Sequence, residues 1–124
     1  PSKTSKTNSS SYTTDKNLKL KVFFDNNFKC EIDKNHTTFQ KENGEIFMEG
    51  HHLIPMAAQD DFVDNLDRVE NIVCLCPNCH RKVHHARTDI KKEILEKMFI
   101  KKHKKLKACG LNITSEEIFK KYYN

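Results

Sequence analysis

Two stretches decide the fold: EGHHLIP at Glu49–Pro55 and NIVCLCPNCHRKVH at Asn71–His84. The second holds Cys76-Pro77-Asn78-Cys79. Two thiols three residues apart at a tight turn can take adjacent corners of a zinc tetrahedron, with Zn–S distances of about 2.3 Å. His80 follows directly, and His84 lies four residues beyond it. On a helix running from Asn78 to about Ala86, those two imidazoles share a face with Cβ atoms roughly 5–6 Å apart, which suits two ligands on one divalent ion. The first stretch carries His51 and His52, which point to opposite faces of a regular strand. One can then bind metal while the other works as a base.

The knuckle needs two more ligands. Cys30 is the third, because its segment can be brought beside the knuckle. For the fourth, Asp33 stands three residues after Cys30 and His36 is the other nearby donor, chemically better suited to zinc than a carboxylate. Cys74 is a reserve ligand if both fail, and it otherwise reads, with Cys109, as an ordinary semi-buried thiol. Five cysteines with three crowded at Cys74, Cys76 and Cys79 make a poor disulfide framework and a good metal site. The simplest compartment is therefore the reducing cytoplasm.

Outward from these stretches, Phe28–Ile32 reads as a short strand. Thr37–Gln40 and Ile46–His52 read as strands paired across the Asn43-Gly44 turn, both of whose residues accept positive φ. Asn17–Asp25 has both strand-like alternation and a helical face, with helix the preferred reading. The polar stretch from Gln59 to Arg68 reads as a surface loop and Ile72–Leu75 as extended chain. A long helix capped by Thr88 or Asp89 runs to about Lys107, with Ile90, Ile94, Leu95, Met98, Phe99 and Leu106 on one face, and Gly110 stops it. Thr114 and Glu117 form a capping box for a last helix ending at Tyr122 and Tyr123.

A length of 124 residues allows one domain with a modest core, and 36% hydrophobic content without Trp leaves part of the stabilisation to a metal. A net charge of +5 permits nucleic acid as a partner, although it equally fits ribosomal proteins and anionic membrane surfaces. No apolar run approaches the roughly 18 residues of a membrane span, and the N-terminus lacks the apolar centre of a secretory signal. Residues 1–15 are rich in Ser, Thr and Lys and read as a flexible linker or the edge of a larger protein.

Taken together, His51-His52, Asn71 and Cys79-His80 with His84 closely resemble the HNH endonuclease family of ββα-metal nucleases, and in particular its McrA-like restriction branch. The resemblance runs over about Asn17 to Arg87. It implies an α+β fold, the ββα-metal (His-Me finger) architecture with a treble-clef-like zinc knuckle, filling residues 16–124 with a C-terminal helical extension from about 88. By the same resemblance His52 is the general base and Asn71 braces the loop that positions it. His51, His80 and His84 hold a catalytic divalent ion (Mg²⁺, Mn²⁺, Co²⁺, Ni²⁺ or Zn²⁺). Asp33 stands where relatives usually have the second cysteine of the first zinc pair, so the structural zinc set of Cys30, Cys76 and Cys79 is completed by Asp33, or by His36, or else binds zinc weakly.

The implied activity is metal-dependent hydrolysis of phosphodiester bonds in double-stranded DNA, in a restriction or defence enzyme. A base of ordinary histidine pKa predicts a rate that rises through neutral pH. Arg81, Arg87 and the lysine-rich face from Lys91 to Lys107 are the candidate phosphate contacts. Double-strand cutting with one site per chain favours a homodimer, and target choice falls to an upstream recognition domain. Two other readings stand beside this one: a nuclease domain of a toxin or effector, and a zinc-knuckle nucleic-acid binding module without catalysis. The binding module has no need of the full set His51, His52, Asn71, His80 and His84.

Overall fold

A computed structural model describes residues 14–124, so most of the expected linker over 1–15 lies outside the described residues. The Asp15 side chain accepts from the Asn17 N–H and caps helix α1 (Lys16–Asp25), so the ambiguous first segment is helical. Asn27 and Phe28, both at φ 54°, turn the chain out of α1. That turn is why the expected strand at Phe28–Ile32 does not form. The segment instead meets the sheet through Glu31, whose N–H donates to the Cys74 carbonyl at 2.8 Å and whose carboxylate accepts the Cys74 N–H at 2.7 Å.

The Asn43-Gly44 turn exists, with Gly44 at φ 89°, and Phe39 and Phe47 stack beyond it with ring centroids 4.7 Å apart. Its ladder is a single bridge between Gln40 and Ile46. Strand β1 (Glu49–His52) lies past that hairpin and pairs antiparallel with β2 (Ile72–Leu75), setting His51 opposite Val73 and His52 opposite Ile72. The expected pairing of Thr37–Gln40 with the whole of Ile46–His52 is thus corrected. β2 is buried along its full length and offers the better partner.

Between the strands, the polar segment is more folded than a surface loop. Met56–Asp61 forms a 3-10 helix, and Leu66, Asp67 and Gln59 are buried. The Gln59 side chain donates to the Asp64 carbonyl and accepts from the Leu66 N–H, so polar residues fold the segment inward. A short 3-10 turn at Val69–Asn71 then delivers the chain into β2.

Helix α2 (Pro77–His85) completes a ββα unit, with Cys76 as N-cap and Pro77 in its first turn, where a missing N–H costs nothing. Helix α3 (Thr88–Ala108) follows with Arg87 as N-cap and no side-chain cap, so neither Thr88 nor Asp89 serves as one. It buries Ile94, Leu95, Met98 and Leu106 against the core. Gly110, at φ 93°, ends it in the left-handed conformation that favours glycine. Helix α4 (Ser115–Ile118) opens with the capping box of Thr114 and Glu117, and a π-helical turn over Phe119–Tyr123 carries the chain back to the sheet. Among the described residues, no helix is long and apolar enough to cross a membrane.

Candidate active site and zinc knuckle

The Cys76 thiol caps its own helix by accepting from the Cys79 N–H at 3.5 Å, which places both sulfurs at the start of α2. Cys30 and His36 arrive from the irregular segment after α1, and the four donor atoms of Cys30, His36, Cys76 and Cys79 lie within 4.8 Å of one another. His36 Nδ1 stands 3.3 Å from Cys79 Sγ and 3.7 Å from Cys76 Sγ. A zinc ion with ordinary Zn–S and Zn–N bonds at tetrahedral angles separates such atoms by about 3.6 Å, so the donor set fits zinc. The Cys79 thiol donates to Cys30 and pulls Cys30 down to about pKa 4, while the same partner pushes Cys79 up.

Asp33 is outside this group, with its carboxylate 3.8 Å from the other nitrogen of His36. Cys74 is elsewhere, in the middle of β2, and burial pushes its thiol up to about pKa 12. Cys109 donates its S–H to the Leu106 carbonyl at the end of α3.

On the α2 side of the sheet, His51, His80 and His84 each turn one ring nitrogen into a cluster no wider than 4.8 Å. The 3.6-residue period of α2 stacks His80 and His84, whose Nε2 atoms stand 3.1 Å apart. Two nitrogens bound to one ion at about 2.0–2.1 Å stand roughly 2.9–3.4 Å apart, depending on whether the geometry is octahedral or tetrahedral. The set therefore fits a divalent ion. Glu49, two residues before His51 and on the same strand face, accepts from His80 Nδ1–H at 2.7 Å. That bond leaves the His80 Nε2 lone pair facing the cluster and strengthens it as a ligand.

His51 is buried, and that burial, followed by the neighbouring imidazoles, holds its pKa well below the usual histidine value. His84 is shifted down as well, by desolvation first and His80 second. Neutral rings are what a metal requires. His51 Nε2 lies 2.7 Å from the Tyr123 hydroxyl. That hydroxyl in turn donates to the Leu53 carbonyl at 2.6 Å.

His52 faces the other way, as strand alternation requires. Its Nε2 lies 2.8 Å from Asp67 Oδ1, and the second carboxylate oxygen of Asp67 accepts from the Asp15 N–H at 2.7 Å. Among the described residues His52 Nδ1 has no protein partner, and no buried side-chain nitrogen or oxygen is left unpaired, so Nδ1 is the open end of the ring. Burial lowers the His52 pKa, Asp67 opposes that shift, and Lys19 adds to it. Lys19 reaches this point because it crosses β1 over Gly50. A Cβ there would meet the Lys19 side chain at 2.7 Å.

Asn71 is wholly buried and clamps the turn after β1: Oδ1 accepts from the Ile54 N–H, while Nδ2 donates to the carbonyls of Ile54 and Leu66, each at 2.9 Å. A cleft of about 650 Å³ opens beside the histidine cluster, lined among others by Lys16, Lys19, Lys41, Arg81 and His84. Arg87 does not line it, and its guanidinium lies 3.2 Å from Asp89. Of the α3 lysines, Lys102 is buried against Glu31 at 3.3 Å and so is not part of a solvated phosphate-binding face. Sequence reasoning gave no role to Glu49, Asp67, Tyr123 or the α1 lysines. Only Glu49 left a local signal, through its two-residue offset from His51.

A two-stranded ribbon ending in paired histidines, packed on a helix that starts at a cysteine knuckle, defines the ββα-metal class. Residues 30–86 match the HNH endonuclease family. The chain is similar to McrA-type restriction enzymes. Over 89 residues it is 29% identical to the type IV methyl-directed restriction enzyme EcoKMcrA of Escherichia coli strain K12, covering 72% of this chain and 30% of that protein. The solved structure of the type IV phosphorothioation-dependent restriction endonuclease ScoMcrA shares the fold, with a TM-score of 0.55 and 20% identity over 77% of this chain and 20% of that one. The chain thus spans less than a third of either relative's length.

Proposed function

We propose that this domain hydrolyses phosphodiester bonds of double-stranded DNA with a divalent ion held by His51, His80 and His84, as the nuclease part of a restriction or defence enzyme. The observation that carries the reading is the convergence of those three imidazoles beside a basic cleft, with a fourth, His52, paired to a carboxylate on the next strand position. When bound, the ion supplies positive charge to the phosphate and to the departing 3′ oxygen. His52 Nδ1 takes a proton from water as the water oxygen bonds to phosphorus and the P–O3′ bond breaks, which leaves a 5′ phosphate. Asn71 holds the turn behind His52 in place. Lys16, Lys19, Lys41 and Arg81 contact backbone phosphates, which sets register without reading sequence. Cys30, His36, Cys76 and Cys79 hold a structural zinc, with Asp33 outside the set.

The greater length of both relatives supports placing target choice in another part of a longer protein. Cutting both strands with one site per chain calls for two copies, and the reducing cytoplasm suits the free thiols.

Supercoiled plasmid is the substrate that tests this, with wild type and His52→Ala assayed in Mg²⁺, Mn²⁺, Co²⁺ or Ni²⁺ and a chelator control. Metal-dependent nicking or linearisation, reduced about 10²- to 10⁴-fold in the variant, is expected. A folded, zinc-containing protein that shifts DNA on a gel and cuts with none of the metals would instead be a binding module.

A further inference from the structure

The Tyr123 hydroxyl stands between two groups, His51 Nε2 at 2.7 Å and the Leu53 carbonyl oxygen at 2.6 Å. A carbonyl only accepts, and a phenol has one proton to give. The proton therefore goes to Leu53, and the Tyr123 oxygen accepts from His51. A neutral imidazole that donates from Nε2 has its lone pair on Nδ1.

The rest of the site agrees. His51 Nδ1 has no protein partner among the described residues, yet no buried side-chain nitrogen is left unpaired, so Nδ1 opens onto reachable space. The C-terminal turn also walls the cluster directly: a cavity of about 200 Å³ is lined by His51, His84, Tyr122 and Tyr123 among others. His80 uses the opposite arrangement, with Glu49 on Nδ1 and Nε2 turned to His84 Nε2 at 3.1 Å.

We propose that Tyr123 is a positioning residue of the metal centre, fixing His51 as the Nε2-protonated tautomer so that Nδ1 is its ligand atom. The proposal rests on the reading that His51, His80 and His84 hold the divalent ion. It makes the turn at Phe119–Tyr123, 72 residues from His51 at its tyrosine, part of the centre. An outer partner of this kind keeps a ligand ring from rotating and raises its basicity, and losing one typically weakens metal binding about 10- to 100-fold.

The test uses ¹⁵N-labelled protein loaded only with its structural zinc. Long-range ¹H–¹⁵N correlation should place the His51 proton on Nε2 in wild type, a state that Tyr123→Phe loses. Calorimetric titration with Ni²⁺ should show Tyr123→Phe binding about 10- to 100-fold more weakly at unchanged zinc content. A His51 proton on Nδ1 in wild type, or a Tyr123→Phe affinity within twofold of wild type, overturns the proposal. Wild type that takes up no Ni²⁺ beyond its zinc overturns the metal reading itself and the proposal with it. Should Tyr123→Phe fail to fold, the wild-type spectrum decides.

Discussion

Asp67 Oδ1 lies 2.8 Å from His52 Nε2, with both side chains buried, and the other oxygen of Asp67 receives the Asp15 N–H. The carboxylate thus accepts twice, once from the ring and once from the start of α1. An amide in its place has one acceptor and can receive only one of these two donors. With the amide oxygen turned to Asp15, its NH₂ forces the His52 proton onto Nδ1 and removes the open lone pair. Asp67→Asn is therefore expected to lower kcat about 10²-fold or more with KM little changed. Plasmid cleavage under saturating metal measures this. Wild-type turnover in a folded variant would remove Asp67 from the mechanism.

Burial lowers the His52 pKa more than Asp67 raises it, which revises the expected pH profile. The base acts when neutral, and a folded pKa below 6.5 completes deprotonation at lower pH. The rising limb should fall below pH 6.5, with a plateau from 7 to 8. The same shift has a stability consequence. His51 and His52 both have lowered pKa values, so below about 6.5 the unfolded chain binds more protons and stability falls with pH. Each group adds a slope of up to about 1.4 kcal/mol per pH unit. Urea unfolding between pH 7.5 and 5.5 checks it, and His51→Gln should flatten the dependence; equal slopes would contradict the assignment.

His36 and Asp33 make opposite predictions for the knuckle. Removing Nδ1, which faces both Cys76 and Cys79, with His36→Ala should cost the zinc or most of the fold. Asp33→Ala loses only an outer, half-exposed partner of the other ring nitrogen and should weaken zinc at most about tenfold. Zinc content by mass spectrometry under native conditions separates the two. Zinc lost from Asp33→Ala and kept by His36→Ala would reverse the ligand assignment.

Lys102 and Glu31 form a buried ion pair, and Glu31 also accepts the Cys74 N–H at 2.7 Å. It ties α3 to the strand next to the knuckle. Lys102→Met leaves the carboxylate buried without its cation and is expected to cost about 3–5 kcal/mol. Adding Glu31→Gln removes the stranded charge while keeping an acceptor for Cys74, so the double variant should recover part of that loss. A single variant within 1 kcal/mol of wild type in chemical denaturation would show that the pair is unimportant.

What the sequence by itself determined is the local chemistry. Cys76 and Cys79 at a tight turn, His80 and His84 four apart, and His51 and His52 on a strand are set by the periods of helix and strand, which a chain displays without being folded. The Thr114–Glu117 box and the Gly110 stop are legible for the same reason. The choice between Asp33 and His36 was not, because both sit close to Cys30 in the chain and only the path after the Asn27-Phe28 turn brings an imidazole to the sulfurs. Nor was the partner of β1: the Asn43-Gly44 turn offered a local hairpin, and the buried β2 won through packing across the chain. Asp67 and Tyr123 lie in segments that read as a polar loop and a helix end. They reach His52 and His51 from 15 and 72 residues away. Such contacts depend on where whole elements dock, so tertiary structure alone decided which groups orient the histidines.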